Sequence, residues 1–370
     1  MAKPLKRIVV KLGTNLLTRG GEELNRERMA DFVRQIAALR EQGKQVVLVT
    51  SGAVAAGRNA GVPSPSGKGI PVRQILAAIG QPLLMRTYAE FFAPFGIAVA
   101  QALFTRTELE RDGYLNARNT LLGLLETGVL PICNENDVVA VAELQQIGDN
   151  DTLSALVANL VDADLLAILT DIKGLYTADP RSDASATHVP VVENITREVE
   201  AMAGGAGSAS SIGGMATKIK AARMATAAGT DVVICQGTIP DVILSLAAGE
   251  EVGTRFASKV SRTKSLRDAW MASDLARGHR IIVDAGAANA LLKNGRSLLP
   301  AGIIGVEGTF SRGDTVEIRA VGGDAFACGL VNYPSEDLRK IMGKKSSEIT
   351  SLLPESFGDE AVHRNNMVFL

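Results

Sequence analysis

Short apolar runs alternate with longer segments of helical periodicity through the first 256 residues of the chain. Each apolar run has the length of a buried strand, and a turn follows it before the next helical segment begins. Alternation of this kind indicates βαβ units, so the pattern predicts an α/β fold built around a mainly parallel sheet. The predicted strands are residues 7–12, 45–50, 97–103, 129–133, 165–170 and 231–235.

Three stretches between the strands have local signals of their own. Pro71 and Pro82 lack the backbone N–H that a helix interior needs, so we expect them to divide a helical stretch into separate segments. Residues 173–179 contain glycine and Asp-Pro turn signals, which predict a short hairpin. Residues 138–145 are expected to form an extended excursion from the sheet.

The pattern changes after residue 257. The next twenty residues are charged, contain the single tryptophan, and are predicted to form a partly helical linker. From residue 278 onward, short β-like runs alternate with turns, which predicts a small β-rich domain. These runs are residues 280–283, 302–305, 315–318 and 326–331. The predicted organisation is an α/β domain at 1–257, a linker at 258–277, a β-rich domain at 278–358 and a C-terminal tail at 359–370.

Length and composition agree with this organisation. A chain of 370 residues has room for one large and one small domain, and 46% apolar with 4% aromatic residues suits a buried sheet between helices. The net charge of −1 gives no reason to expect a nucleic-acid partner. The three cysteines are widely spaced among apolar residues, which indicates reduced core side chains. No uncharged apolar run reaches the roughly 18 residues of a membrane span, so we expect a cytoplasmic protein without a membrane partner.

Two lysines in glycine-flanked turns are the first candidate phosphate-binding residues. Lys11 follows an apolar run and precedes Gly13, and Lys218 ends the glycine-rich stretch 212–218. Phosphate binding needs this setting of close backbone N–H groups with a cation at the edge. Neither lysine lies in a Walker A loop, since the nearest candidate, residues 61–69, has the wrong glycine spacing. The pair predicts a phosphoryl-transfer enzyme outside the P-loop class, although each lysine alone is also typical of a solvated surface.

Polar blocks at the ends of several predicted strands supply candidate binding groups. Ser51-Gly52 stands between a strand and an alanine-rich helix, where backbone N–H groups could hold a carboxylate. Residues 134–137 and 148–151 combine carboxylates and amides, which could receive an ammonium group, a lysine or a substrate carboxylate. Thr170-Asp171 and the turn after it could frame a nucleotide base or ribose. Each block alone is also compatible with an ordinary cap or turn.

Histidine supplies neither a metal site nor a base in these blocks. His188, His279 and His363 are isolated from them, and no Cys/His spacing is typical of a zinc site. A carboxylate nucleophile has a reference pKa of about 4.3 and is already ionised at neutral pH. Such a nucleophile needs positioning rather than deprotonation, so the lack of a histidine base is compatible with a carboxylate substrate.

Taken in order, these blocks resemble those of the glutamate 5-kinases, a family of the amino acid kinase superfamily. The likeness rests on residues 10–14, 49–53, 134–137, 148–151, 169–171, 174–180 and 213–218. The C-terminal part is similar to the PUA domain that many of these kinases carry, at residues 283–287, 297–302 and 310–314. The resemblance covers essentially the whole chain. It implies a three-layer αβα sandwich followed by a small β-rich pseudo-barrel.

The resemblance also implies an activity, its cofactors and its partners. The implied reaction is ATP-dependent phosphorylation of the γ-carboxylate of L-glutamate to γ-glutamyl phosphate, the first step of proline biosynthesis. Mg²⁺ is implied with ATP, proline as a feedback inhibitor, a homo-oligomer formed through the kinase domain, and a glutamyl phosphate reductase as a further partner. Two alternatives stay open, namely a kinase of the same fold acting on aspartate or N-acetylglutamate, and an RNA-binding protein that uses its PUA-like domain.

The resemblance assigns roles to particular residues. Lys11 and Lys218 would contact the ATP phosphates and stabilise the transferred phosphoryl group, with Asp151 orienting both. The implied glutamate-binding residues are Ser51, Gly52, Asn136, Asp137, Asp149 and Asn150. The implied ATP-binding residues are Lys11, Thr170, Asp171, Ile212, Gly213, Gly214, Met215, Ala216, Thr217 and Lys218. Family members often have Gly-Thr where this chain has Ser211-Ile212, so a phosphate contact at position 212 would come from the backbone.

Overall fold

A computed structural model describes residues 5–18, 23–62, 70–105, 109, 112–139, 150–203, 214–259 and 278–369. The predicted site residues Asp149, Ile212 and Gly213 lie outside these ranges, as do most of the predicted excursion and nearly all of the predicted linker. The chain divides into two compact units. The larger unit contains Met1–Leu109 and Ala117–Val260, and the smaller contains Glu110–Asn116 and Ser261–Leu370.

The larger unit is built on a sheet of eight strands within the described ranges. The strands are β1 (Arg7–Leu12), β2 (Gln45–Thr50), β3 (Val99–Phe104), β4 (Leu130–Glu135), β5 (Leu165–Thr170), β6 (Val191–Val192), β7 (Asp231–Gln236) and β8 (Thr254–Phe256). They lie in the order β3-β4-β2-β1-β5-β7-β8-β6, and among these pairs β7 with β8 is antiparallel. Every residue of β5 is buried, which is typical of parallel strands covered on both faces. The predicted mainly parallel α/β sheet is confirmed.

Helices cover both faces of this sheet. They are α1 (Thr14–Thr18), α2 (Arg26–Glu41), α3 (Ala53–Arg58), α4 (Ile70–Phe92), α5 (Asp112–Glu126), α6 (Asn150–Leu160), α7 (Arg197–Met202), α8 (Met215–Ala227) and α9 (Val242–Ala248). Ile8 and Val10 of β1 lie in one core with residues of α2, α4 and α9. Val9, which points to the other face, is also buried, and α6 contacts β1 while α8 contacts β7. The expected three-layer arrangement is therefore confirmed.

The long helix α4 is not divided by its prolines. It runs unbroken over Ile70–Phe92 with Pro82 inside it, so the expectation of separate segments is wrong. Pro71 lies in the first turn, where a backbone N–H would have no acceptor within the helix. An interior proline costs a helix about 3 kcal/mol. Here the full burial of Leu84 and Tyr88 offsets that cost, because packing of an apolar face stabilises a helix more than residue propensity does.

Two glycines allow α3 and α4 to pack with their backbones in contact. A Cβ atom added at Gly80 would lie 1.8 Å from the carbonyl oxygen of Ala53, and one added at Gly57 would lie 1.9 Å from that of Leu76. Any larger residue would therefore force the helices apart. Because α3 begins three residues after the end of β2, this crossing also determines how the chain leaves that strand.

The substitution Gly80→Ala is expected to destabilise the fold by about 1–3 kcal/mol, since overpacking of a well-packed contact has this cost. Gly123→Ala in α5 is the matched control, because no atom lies within 4 Å of the added Cβ. There the change is expected to stabilise by about 0.5–1 kcal/mol through helix propensity alone. Urea unfolding midpoints measure both effects. Equal midpoints for the two variants would contradict the close crossing.

The smaller unit contains a second sheet with a separate core. Its strands are β9 (Arg280–Val283), β10 (Ile303–Glu307), β11 (Thr315–Ala320), β12 (Ala325–Leu330) and β13 (Met367–Phe369), in the order β10-β9-β11-β12-β13. Helices at Ala285–Asn294, Ser335–Ile341 and Ile349–Leu352 pack against it. The predicted β-rich character is confirmed, and β13 lies within the segment that the sequence analysis assigned to a tail. Across the described part of the chain, no helix is long and apolar enough to cross a membrane.

Candidate active site

The candidate site lies where four neighbouring parallel strands end. Lys11 lies one residue from the end of β1, Thr50 and Thr170 end β2 and β5, and Asn134 lies near the end of β4. Because β4, β2, β1 and β5 are adjacent and parallel, their carboxyl ends meet at one edge of the sheet. Open α/β sheets bind ligands at this edge.

Two lysines share one buried carboxylate at this edge. Asp151 lies in the first turn of α6 and is fully buried. Its Oδ1 lies 2.5 Å from the Nζ of Lys11 and its Oδ2 lies 3.1 Å from the Nζ of Lys218. Thr217 donates a hydrogen bond of 3.0 Å to the same Oδ2 atom. The structure thus brings together the three residues for which the resemblance implied catalytic roles.

The charge of this cluster favours an anionic ligand. Two ammonium groups and one carboxylate leave a formal charge of +1, and the side chains of Lys11 and Lys218 are only about one-twentieth exposed. Buried charge is costly unless it is compensated. The N-terminus of α8 adds positive partial charge, since Gly214 caps it without a side-chain hydrogen bond. At Gly13 a Cβ atom would lie 3.5 Å from the Lys11 Nζ, so glycine keeps the space beside this ammonium group open.

A group of amides and hydroxyls lies beside the lysine cluster. The Nδ2 atom of Asn150 donates to the carbonyl of Thr50 at 2.7 Å, to the Oγ of Ser51 at 2.7 Å and to the Oδ1 of Asn134 at 3.0 Å. The Oδ1 atom of Asn150 is buried and has no hydrogen-bond partner among the described residues. Since buried polar atoms are nearly always paired, this oxygen marks a position where a ligand donor is expected.

Gly52 separates Ser51 from the following helix. Its φ of 105° lies in the left-handed region, and α3 begins only at Ala53. A Cβ atom at this position would also lie 3.1 Å from a methyl group of Leu24. The helix therefore begins after Ser51, and the Ser51 hydroxyl accepts a hydrogen bond from Asn150 rather than capping the helix.

Asn136 and Asp137 follow the end of β4. The backbone N–H of Asn136 donates to the carbonyl of Phe104 at 2.9 Å, which continues the pairing with β3. Asp137 is half-buried, and this burial raises the pKa of its carboxyl, while the charge of Arg73 acts in the opposite direction. Burial disfavours the ionised form of this carboxyl, so a cation bound beside it would stabilise that form.

The predicted nucleotide residues lie at the end of β5 and the start of α8. Thr170 is buried and donates to the Oδ1 of the exposed Asp171 at 3.0 Å. Met215, Ala216 and Thr217 form the first turn of α8, directly after Gly214. Of the predicted nucleotide residues, Lys11, Thr217 and Lys218 contact the carboxylate of Asp151.

The segment after Asp171 is not a hairpin. Between Tyr176 and His188 the structure has a single isolated bridge rather than a ladder. Gly174 has a φ of 156°, and a Cβ atom there would lie 2.5 Å from the Oγ1 of Thr254. This close approach to β8, across 80 positions of sequence, holds the segment as an irregular loop.

The sequence analysis missed two contributors to this edge. Gln81 of α4 accepts a hydrogen bond of 2.8 Å from the Nδ2 of Asn134. Tyr88, seven residues further along α4, shares a hydrogen bond of 2.7 Å with the hydroxyl of Thr50. Their spacing places both on one helix face, which is a signal that the sequence contains.

The chemistry of the exposed carboxylate at this edge fits a magnesium ion shared with a nucleotide. Mg²⁺ prefers oxygen ligands and is held in nucleotide sites by one or two carboxylates together with phosphates and water. Asp171, exposed where β5 ends, offers such oxygen atoms. Among the described residues no cluster of three or more His, Cys, Asp or Glu could hold a metal ion.

Comparisons with known proteins agree with this fold. The family model described as "Amino acid kinase family" matches residues 6–236, and that described as "PUA domain" matches residues 279–353. The first match covers more than half of the chain. The protein therefore belongs to the amino acid kinase family and is a phosphotransferase, and its C-terminal unit carries a PUA domain.

The curated relatives of this chain include several glutamate 5-kinases. Glutamate 5-kinase of Dehalococcoides mccartyi (strain CBDB1) is 50% identical over 368 residues, which are 99% of this chain and 98% of that protein. Glutamate 5-kinase of Herpetosiphon aurantiacus is 53% identical over 98% of each chain, and that of Deinococcus radiodurans is 50% identical over 98% of this chain and 100% of its own. Among solved structures, UMP kinase from Bacillus anthracis is 16% identical with a TM-score of 0.47, covering 70% of this chain and 98% of that one.

Proposed function

We propose that this protein transfers the γ-phosphoryl group of ATP to the γ-carboxylate of L-glutamate, giving γ-glutamyl phosphate in the first step of proline biosynthesis. The convergence of Lys11 and Lys218 on Asp151 carries the proposal, because it places two cations at one buried anion site. Relatives of about 50% identity over nearly the whole chain, all named glutamate 5-kinase, support the choice of substrate.

In the proposed reaction a γ-carboxylate oxygen of glutamate attacks the γ-phosphorus of ATP, and the bond to the bridging oxygen of ADP breaks. Negative charge spreads over the migrating phosphoryl group and the leaving oxygen. Lys11 and Lys218 stabilise this charge from positions that Asp151 holds before the reaction begins. Mg²⁺, when bound with the nucleotide, neutralises part of the phosphate charge. No base is needed, since the attacking carboxylate is already ionised.

For glutamate we propose a site formed by the amide of Asn150, the hydroxyl of Ser51 and the carboxylate of Asp137, with Gly52 and Asn136 beside them. Asp149, which lies outside the described residues, is included in this proposal by resemblance alone. Asn150 contacts Ser51 directly and has a buried oxygen that lacks a donor. Asp137 has a carboxyl that burial disfavours in its ionised form. Both groups suit the α-ammonium group of an amino acid, which supplies donors and positive charge.

The substitution Asp137→Asn is expected to raise the glutamate KM by about tenfold or more, because hydrogen bonds to charged groups are worth about 1.5–3 kcal/mol. It is also expected to stabilise the free protein at pH 7. The raised pKa of Asp137 means that folding favours the protonated form, so its ionised form lowers stability above the unfolded-state pKa. The stability gain should therefore fade as the pH falls through the raised folded-state pKa, and it should be absent below the unfolded-state pKa. Steady-state kinetics and thermal unfolding between pH 7 and pH 4 measure the two effects.

Asp183→Asn is the control, since hydrogen bonds from Ser185 lower the pKa of this fully exposed carboxyl. There the change in stability should have the opposite sign, and the glutamate KM should stay at its wild-type value. An unchanged glutamate KM in Asp137→Asn would remove Asp137 from the substrate site.

We also propose the partners that this activity brings with it. γ-Glutamyl phosphate is a labile acyl phosphate, so a reductase that consumes it promptly, glutamyl phosphate reductase, is the expected partner. Proline shares the α-carboxylate and the protonated α-nitrogen of glutamate, which suits it as a feedback inhibitor. We further propose that the protein forms a homo-oligomer through its kinase domain and is cytoplasmic.

The decisive experiment is ATP-dependent hydroxamate formation in the presence of hydroxylamine, which traps an acyl phosphate. Glutamate, aspartate and N-acetylglutamate are compared as acceptors, with ADP release measured in parallel. Hydroxamate formed selectively from glutamate supports the proposal. Selective use of another acid, or no hydroxamate from any of the three, would refute it.

A further inference from the structure

Helix α4 presents three polar side chains to the candidate site at a spacing of seven residues. Gln74 donates to the carbonyl of Val138 at 3.3 Å, Gln81 accepts from Asn134 at 2.8 Å, and Tyr88 shares a hydrogen bond of 2.7 Å with Thr50. Seven residues make nearly two helical turns, so all three lie on one face. Each contacts a different segment at the carboxyl ends of β2 and β4.

The middle residue, Gln81, belongs to a series of four hydrogen-bonded amides, which we name the amide relay. Asn150 donates to Asn134 at 3.0 Å, Asn134 donates to Gln81 at 2.8 Å, and Gln81 donates to Gln101 of β3 at 3.1 Å. Asn134 is 2% exposed and Gln81 is 9% exposed, so water competes little for these bonds. The relay joins α6, β4, α4 and β3.

Backbone groups determine how the amides of the relay are oriented. The N–H of Glu135 donates to the Oδ1 of Asn134 at 2.9 Å, so the Nδ2 of Asn134 must face Gln81. Asn150 donates to the carbonyl of Thr50 at 2.7 Å, so its Nδ2 must face that carbonyl. A backbone N–H only donates and a carbonyl only accepts, so neither amide can turn over without losing a bond. This orientation leaves the buried Oδ1 of Asn150 as an acceptor without a partner among the described residues.

We propose that Gln81 is a positioning residue for the amino-acid substrate. It holds Asn134, which in turn holds the amide of Asn150 with its Oδ1 ready to accept a hydrogen bond. At neutral pH the donor-bearing group of glutamate is its α-ammonium, since both carboxylates only accept. Gln81 thus prepares an acceptor for the substrate ammonium without touching the substrate. The inference rests on the proposed function and adds to it a residue that acts through two others.

The substitution Gln81→Leu removes the acceptor of the Asn134 amide. A buried N–H group without an acceptor is costly, so Asn134 is expected to rotate or admit water and to release Asn150. We expect the glutamate KM to rise about tenfold, the change that corresponds to one poorly satisfied buried hydrogen bond. The ATP KM should stay within about twofold and kcat within about threefold, because an interaction with the ground-state substrate affects KM rather than kcat.

Gln35→Leu is the matched control for a purely structural effect. Gln35 is a fully buried glutamine of α2 that donates to Asp31 at 2.8 Å and accepts from the N–H of Ile243 at 2.9 Å. Gln35→Leu makes the same chemical change as Gln81→Leu and removes the same number of hydrogen bonds, but Gln35 lies outside the amide relay. We expect lower stability with an unchanged glutamate KM. Gln101→Leu, at the outer end of the relay, should raise the glutamate KM by less than Gln81→Leu does.

The test combines kinetics with direct binding. Glutamate and ATP KM values are measured for wild type and the three variants, and glutamate binding to the ATP-free protein is measured by isothermal titration calorimetry. Weaker glutamate binding in Gln81→Leu but not in Gln35→Leu supports the positioning role. A wild-type glutamate KM in Gln81→Leu, or a parallel rise of both KM values, overturns it.

The same experiment separates failure of this role from failure of the proposed function. The wild-type enzyme is first assayed with glutamate, aspartate and N-acetylglutamate, and this step alone tests the substrate assignment. If the wild type prefers another acid, the proposed function fails, and the variants are compared with that acid. The role of Gln81 is then decided by its selective effect on the KM of whichever amino acid the enzyme accepts.

Discussion

Lys218→Ala is expected to lower kcat by roughly 100-fold or more, as loss of one preorganised charge stabiliser does in other enzymes. The physical reason is the position of its ammonium group, which is buried and lies 3.1 Å from the Oδ2 of Asp151. A cation held in place in this way meets the charge that develops on the phosphoryl group without reorganising. Because that charge is greatest in the transition state, kcat should fall far more than the ATP KM rises.

Lys220→Ala provides the control within the same helix. Lys220 lies two residues further along α8 and is exposed, so its removal should leave kcat at the wild-type value. Lys11→Ala, at the other side of Asp151, should resemble Lys218→Ala. Initial rates at saturating ATP and glutamate measure all three variants. Wild-type turnover in Lys218→Ala would exclude the proposed role of this lysine in phosphoryl transfer.

Asp151→Asn is expected to have the largest effect on stability. Its fully buried carboxylate forms an ion pair with Lys11 at 2.5 Å and accepts hydrogen bonds from Lys218 at 3.1 Å and from Thr217 at 3.0 Å. Asparagine keeps the shape but removes the charge, which leaves two buried ammonium groups without their shared counter-charge. Breaking a buried ion pair in this way costs about 3–5 kcal/mol. Activity should fall as well, since both lysines lose the group that orients them.

The loss of stability in Asp151→Asn should be reduced by anions. The substitution changes the formal charge of the cluster from +1 to +2, so ATP or sulfate should raise the unfolding midpoint of the variant more than that of the wild type. Glu90→Gln is the control, because Glu90 pairs with Arg26 on the surface and such pairs contribute about 0–1 kcal/mol. Urea unfolding with and without ATP measures both variants. A wild-type midpoint in Asp151→Asn would contradict the central role of this carboxylate.

The fold was predictable where burial and local pattern agree. The bounds of β1, β2 and β5 match the predicted apolar runs, because strands covered on both faces need apolar residues at nearly every position. The change to β-rich structure after residue 278 was predictable from the turn spacing. The helix Ala285–Asn294 was not anticipated, although Asp284 caps it by accepting from the N–H of Ala287.

The site was predictable in part. Lys11 and Lys218 were recognisable from their glycine-flanked turns, and the polar blocks from their place after strands. That the two lysines would share Asp151 came only from resemblance, since these residues lie on β1, α6 and α8, far apart in the chain. Gln81 was missed because it lies inside a largely apolar helix next to a proline that predicted a break.

Apolar runs, glycine positions and helix caps are local features of the sequence. The sequence alone therefore predicts where strands and turns form and which residues could bind phosphate. The order of the strands in the sheet decides which of these residues lie close together. Placing β1 between β2 and β5 sets Lys11 beside Val49 and Ile168, which are 38 and 157 positions away (49 − 11 and 168 − 11). Helix α4 continues through Pro82 only because its apolar side packs against neighbours. The energies that decide these contacts depend on partners distant in sequence, and no local pattern contains them.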